Sequence, residues 1–148
     1  MRSPTAQVSL AALLTRAERY VTDRLDDALR AAGLTADQYR VLLQLAGGQG
    51  HSMAEVADRA VLAAATLTRI VDRLVRLDLV HRRVDALDRR RVLIFLSRRG
   101  GSVLQQVVDR ENEVRRDLEA RLGVADLGHL VATLEAMIDA PAAVPPPR

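Results

Sequence analysis

At 148 residues and 49% hydrophobic content, the chain suits one domain, or a domain with an extension, and holds ample material for a core. It contains no cysteine, which excludes disulfides, thiolate-held zinc and thiol redox sensing, and no apolar run approaches the length needed to cross a membrane. The net charge of +3 conceals an asymmetry: residues 69–99 hold ten arginines against Asp72, Asp78, Asp85 and Asp88, a local balance of +6, whereas the rest of the chain stands at −3.

All 22 basic residues are arginine. The planar guanidinium fork suits bidentate contact with phosphate or guanine, although such usage equally follows from genomic base composition. The first residues lack a charged segment followed by an apolar block, so a cytoplasmic location is expected.

In chain order, residues 8–30 place Leu10, Leu13, Leu14, Ala17, Tyr20, Val21, Leu25, Ala28 and Leu29 at spacings of three and four, an apolar helical stripe that Gly33 ends. So long a helix needs other long helices or a partner subunit to cover it. Thr35-Ala-Asp-Gln38 is a capping box, predicting a helix over 36–46 that the run Gly47-Gly48-Gln49-Gly50 stops. Ser52-Met-Ala-Glu55 is a second capping box, opening a helix that Met53, Val56 and Ala57 tie to the core. Ser52 reads as a cap rather than a nucleophile, since no histidine lies at a suggestive offset and no strand is expected before it.

After a turn near residues 60–62, a third helix is predicted over 63–77. Projected at 100° per residue, it has Leu67, Ile70, Val71, Leu74 and Val75 on its inner side and Ala65, Arg69, Asp72, Arg73 and Arg76 on its outer side, with Thr66 and Thr68 on the flanks. Residues 79–84 and 92–96 are short β-branched runs joined by Asp85-Ala-Leu-Asp-Arg-Arg-Arg91, a hairpin with a charged tip. Three consecutive arginines there are unsuited to a core, and a narrow A·T-rich minor groove is a natural receiver for one of them. Asp88 is expected to hold the loop in shape by pairing with an arginine, a free solvated acid being the alternative. A long helix resumes at Ser97 and carries Val103, Leu104, Val107, Val108, Val114, Leu118 and Leu122 to Gly123; a last helix shows Leu127, Leu130, Val131, Leu134, Met137 and Ile138.

Helix, turn, helix, strand, basic loop, strand is the order of a winged helix-turn-helix. The expected fold is mainly α with a small β-wing. Its parts are an N-terminal helix over 1–33, the winged helix-turn-helix over 34–99, C-terminal helices over 100–140 and a disordered proline-rich tail over 141–148, and the apolar stripes at both ends need a common partner.

Leu34-Thr35-Ala-Asp-Gln38-Tyr39, Thr66-Leu-Thr68-Arg69-Ile-Val-Asp72-Arg73-Leu74 and Asp88-Arg89-Arg90-Arg-Val-Leu-Ile94-Phe-Leu96-Ser97-Arg-Arg-Gly100 give the sequence a resemblance to the MarR family of bacterial transcription regulators, in order and spacing from about residue 8 to 138. The resemblance implies a homodimer that presents two winged helices to successive major grooves of a pseudo-palindromic operator in double-stranded DNA. It further implies a repressor released by a small-molecule effector. On that reading Thr66, Thr68, Arg69 and Arg73 read groove or phosphate, Arg89 and Arg90 form the wing tip and Asp88 steadies it.

Ser52, Ala64, Ala65, Arg76 and Arg91 complete the candidate DNA-contacting set. Ala63-Ala64-Ala65 stands where many relatives keep polar residues, which shifts readout toward thymine methyls or DNA shape. Asp78 replaces a usual glycine at a place where left-handed backbone is often needed. Tyr20 and Tyr39 are the candidate effector contacts. They are otherwise core or interface aromatics, and with Phe95 the chain's only aromatics, so composition gives an effector pocket little support.

No cofactor and no metal are expected, because His51, His81 and His129 lack ligand spacing. Enzyme function is not expected either: paired carboxylates, a phosphate-cradling glycine loop and a nucleophile constellation are all missing. A reading of another class remains beside the DNA-binding one, a winged-helix protein-interaction module that turns its arginine-rich face to an acidic partner.

Overall fold

The computed structural model describes residues 9–139. The start predicted at Val8 and the proline-rich tail lie outside them. Helix α1 spans Leu10–Ala32, α2 Ala36–Gln44, α3 Met53–Ala60, α4 Ala64–Arg76, α5 Arg98–Leu122 and α6 Val124–Asp139. Strands β2 (Val80–Val84) and β3 (Val92–Leu96) form the expected antiparallel hairpin, in register from Val80 opposite Leu96 to Val84 opposite Val92.

A third strand, β1 (His51–Ser52), pairs with the other side of β3, so the sheet order is β1-β3-β2. It corrects the expectation that no strand adjoins Ser52; two residues are too few to show a period of two. Gly50, just before it, is set by packing. A Cβ there would meet the Phe95 ring at 2.3 Å.

Both capping boxes form. Thr35 accepts from the Gln38 N–H while the Gln38 side chain accepts from the Thr35 N–H, and Ser52 and Glu55 do the same for α3. The C-terminal ends of α1, α3 and α4 share one device. Gly33, Val61 and Asp78 each take left-handed backbone, at φ of 69°, 55° and 56°. In each case the next residue is a leucine whose N–H reaches back five residues: Leu34 to Leu29, Leu62 to Ala57 and Leu79 to Leu74, all at 2.9 Å. The left-handed geometry expected at Asp78 is therefore present, and the turn of the helix-turn-helix is made by a strained β-branched valine.

The chain divides into two compact units, the break falling after Glu111 inside α5. In the first, Leu25 and Leu29 of α1, Val41, Leu42 and Leu45 around α2, Val56 and Ala60 of α3, Leu67, Val71 and Leu74 of α4, and Ile94 of β3 are buried. Each fully buried aliphatic side chain contributes about 1.5–3 kcal/mol. Val75, expected on the inner side of α4, is exposed. The buried positions form a narrow i, i+4, i+7 stripe, and Val75, 100° beyond Leu74, falls past its edge. In the second unit Val114 and Leu127 are buried, while Leu130, Met137 and Ile138 of α6 remain exposed, as do Leu10 and Leu13 of α1 in the first unit.

The junction of α4, β2 and α5 leaves no room for a side chain at Gly100. The Ser97 hydroxyl donates to the Asp78 carbonyl at 2.6 Å and accepts from the Gly100 N–H at 2.8 Å, capping α5. A Cβ on Gly100 would stand 2.0 Å from the Leu79 carbonyl oxygen. Gly100→Ala is therefore expected to lower unfolding free energy by about 2–3 kcal/mol, measured by urea titration. Val61→Gly should act in the opposite direction, raising it by about 0.5–1 kcal/mol once the greater chain entropy of glycine is set against the relieved strain.

Candidate nucleic-acid interface

The outer face of α4 begins without a side-chain cap, since Ala63 at its N-cap offers none, leaving first-turn amides for solvent or an anion. Ala64 and Ala65 are exposed there and Thr66 is half-buried. The Thr68 hydroxyl donates to the Ala64 carbonyl at 3.0 Å, so its proton is engaged within the helix and only its oxygen is left to accept. Arg69, Arg73 and Arg76 follow, all exposed. Among the described residues no acid lies within ion-pair distance of them. Asp72, the one acid on this face, is 2.6 Å from Arg82 of β2, a pair that neutralises it and braces the helix against the wing.

The wing loop is closed by its own backbone: Asp85 N–H donates to the Arg91 carbonyl and Arg91 N–H to the Asp88 carbonyl, both at 2.9 Å. Two aspartates tighten it further. Asp85 Oδ1 accepts from the Leu87 N–H and Asp88 Oδ1 from the Arg90 N–H, so Asp88 steadies the loop through backbone rather than by pairing with a guanidinium as expected.

The three arginines divide. Arg91 lies 3.8 Å from Glu55 and 3.9 Å from Asp85, so its charge is largely answered and it ties the loop to the start of α3. Arg89 and Arg90 are exposed, with no acid within ion-pair distance among the described residues. Glu55 thus serves both its helix and the wing. The Ser52 N–H, then Arg91 and His51, hold its carboxyl below the usual range. Its capping role was legible in the sequence, whereas its reach to Arg91, 36 positions on, carries no local signal. Ser52 itself is half-buried, and its oxygen accepts from the Glu55 N–H.

Tyr20 and Tyr39 engage separate partners. The Arg24 guanidinium stacks 3.4 Å over the Tyr20 ring. Tyr39 is 5% exposed and donates its hydroxyl to Glu111 of α5. Burial first, then that bond and the charge of Glu111, push the phenol well above its ordinary value. Elsewhere His81 stacks on Phe95 across β2 and β3. Among the described residues no group of three His, Asp or Glu is arranged to hold a metal ion, and no helix is long and apolar enough to cross a membrane.

A helix-turn-helix flanked by the strands of a three-stranded sheet, with a cationic loop between the last two, defines a winged helix-turn-helix protein of the DNA-binding class. The profile of the MarR family matches residues 32–91. The chain is 30% identical over 93 residues to the transcriptional regulator HosA of Escherichia coli O127:H6, covering 63% of this chain and 69% of HosA. It belongs to the MarR family.

Matched stretches span 66% and 46% of two further regulators, from Bacillus subtilis (strain 168). The fold is shared with NadR, solved in complex with 4-hydroxyphenylacetate (TM-score 0.85, 23% identity, 95% of this chain and 100% of that one). It is shared as well with the transcriptional repressor CouR bound to a 23-mer DNA duplex (TM-score 0.77, 22% identity, 93% and 99%).

Tyr39→Phe is expected to cost about 1–2 kcal/mol at neutral pH by leaving Glu111 short of a donor. Because the phenol titrates higher in the fold than in the unfolded chain, its contribution is full below pH 10 and is lost as pH rises beyond. Urea titrations at pH 8 and above pH 10 should find wild type losing more stability than the variant, in a window that the absence of lysine and cysteine keeps nearly clear.

Proposed function

We propose that this chain is a dimeric, sequence-specific regulator of transcription that binds a pseudo-palindromic operator, acts as a repressor and is released by a small-molecule effector. The observation that carries the reading is the division of charge on the winged helix. Asp72, Asp85 and Glu55 are taken up by Arg82 and Arg91, which brace the frame, while Arg69, Arg73, Arg76, Arg89 and Arg90 stay exposed on the helix and loop that a duplex would meet. In this reading the α4 arginines meet phosphates beside the major groove, Thr66, Thr68, Ala64 and Ala65 face base edges, and Arg89 or Arg90 enters the minor groove. Ser52 and Asp88 contribute by holding the first-helix amides and the loop, and Arg91 by fixing the angle of the wing.

Exposed Leu10 and Leu13 of α1, and Leu130, Met137 and Ile138 of α6, supply apolar surface for a second copy. Pairing would set the two recognition helices about 34 Å apart, one turn of DNA. The complexes of CouR with DNA and of NadR with 4-hydroxyphenylacetate support a duplex and an effector as partners. Tyr20 and Tyr39 are the contacts available to an effector, which at Tyr39 would compete with Glu111. The chain acts by binding rather than catalysis, in the cytoplasm. The family relationship favours DNA over the acidic-protein alternative.

A mobility-shift titration across salt tests the reading. Wild type should bind its own promoter region with an affinity that falls steeply as salt rises. Arg89→Ala with Arg90→Ala should weaken binding and reduce the slope of log affinity against log salt by about 2, one for each lost phosphate-like contact. Equal binding by both proteins would overturn the wing assignment.

A further inference from the structure

The most exposed large apolar side chain of the described residues is Leu87, at 97%, in the middle of the wing loop. It is held there by construction. Its N–H is bound by Asp85 Oδ1 at 2.9 Å, and the loop is closed beneath it by the bonds of Asp85 to Arg91 and of Arg91 to Asp88. The chain therefore cannot easily fold Leu87 back onto the sheet. Val84 and Val92, which face one another across the base of the same loop, are exposed as well, so the wing presents apolar side chains as well as charge.

Two and three positions beyond Leu87 come Arg89 and Arg90, the loop's arginines without an acid partner among the described residues. A backbone-braced loop that holds one apolar side chain in solvent within three positions of two available guanidinium groups matches a narrow groove with phosphate rims and a water-poor floor. The minor groove of duplex DNA has that chemistry, and apolar wedges there partly unstack a base step while cations hold the backbone. Flexible pyrimidine–purine steps yield to such a wedge at least cost.

We propose that Leu87 enters the minor groove as an apolar wedge at the base step beside the wing arginines, so that the wing selects deformable steps as well as anchoring to phosphates. This rests on the DNA-binding reading and adds to it a determinant of specificity that carries no charge. The wedge loses nothing when salt screens the phosphates, which separates its signature from that of its arginine neighbours.

The test uses the full chain and a duplex selected by it from a random pool, labelled with 2-aminopurine at successive positions across each flank. Wild type should bind and raise fluorescence at one step in each flank. Leu87→Ala should bind about tenfold more weakly with an unchanged salt slope and no fluorescence rise, Leu87→Met should restore both, and Arg89→Ala with Arg90→Ala should flatten the slope. Since Leu87 touches solvent almost entirely, these changes leave the fold intact. Wild-type affinity and fluorescence in Leu87→Ala would overturn the wedge alone. Failure of wild type to retain any duplex at low salt would overturn the DNA-binding reading, and the wedge with it. Weakened binding of Leu87→Ala to anionic phospholipid vesicles, with DNA binding intact, would overturn the wedge in favour of a membrane surface.

Discussion

The close approach of Gly100 to the Leu79 carbonyl is the constraint on which the geometry of the winged helix depends. At that point the end of α4, the start of β2 and the first turn of α5 share one small volume, and Ser97 bonds to all three, through the carbonyls of Asp78 and Leu79 and the N–H of Gly100. No side chain fits between them. The first turn of α5 is thereby packed against the end of α4 and the start of the wing without room for an added methyl group. The same α5 supplies Glu111 to Tyr39 of α2, a second attachment on the other side of the first unit.

Around that frame the charged residues do two kinds of work, and the ion pairs separate them. Pairs that are half exposed contribute little to stability, so their value is geometric. Asp72 with Arg82 sets the recognition helix against β2, and Glu55 with Arg91 and Asp85 sets the loop against α3. With Asp72, Asp85 and Glu55 so engaged, Arg69, Arg73, Arg76, Arg89 and Arg90 project a net positive potential from the recognition helix and the wing, which is what steering a polyanion requires. The strain at Val61 and Asp78 belongs to the same design: the two hold left-handed turns at the C-terminal ends of α3 and α4, where an error in angle would swing α4 out of register.

Local rules carried most of the fold. The two capping boxes, the helical stripes and the β-branched runs around Asp85 to Arg91 each rest on neighbours within about four positions, and each element lies within a few residues of its expected bounds. The left-handed position at Asp78 follows from the resemblance, since Asp78 stands where relatives usually keep a glycine. Strand β1 could not, because a pair of residues has no periodicity, and Val75 escaped because a projection at fixed angle does not say how wide an arc the neighbours cover. The candidate residues were legible as types and positions on a face, but not as partners.

Sequence alone thus determined which segments are helix, strand and turn, where the positive charge collects and to which family the motifs point, because capping, periodicity and composition act over short separations. Only the tertiary structure decided that Arg91 is tied down while Arg89 and Arg90 are not, that Asp88 works through backbone, that Tyr39 is engaged with Glu111 and that Leu87 stands in water. Those outcomes depend on groups far apart in the chain meeting within a few ångströms, and a Coulombic or hydrogen-bonded contact is set by that distance rather than by order along the chain.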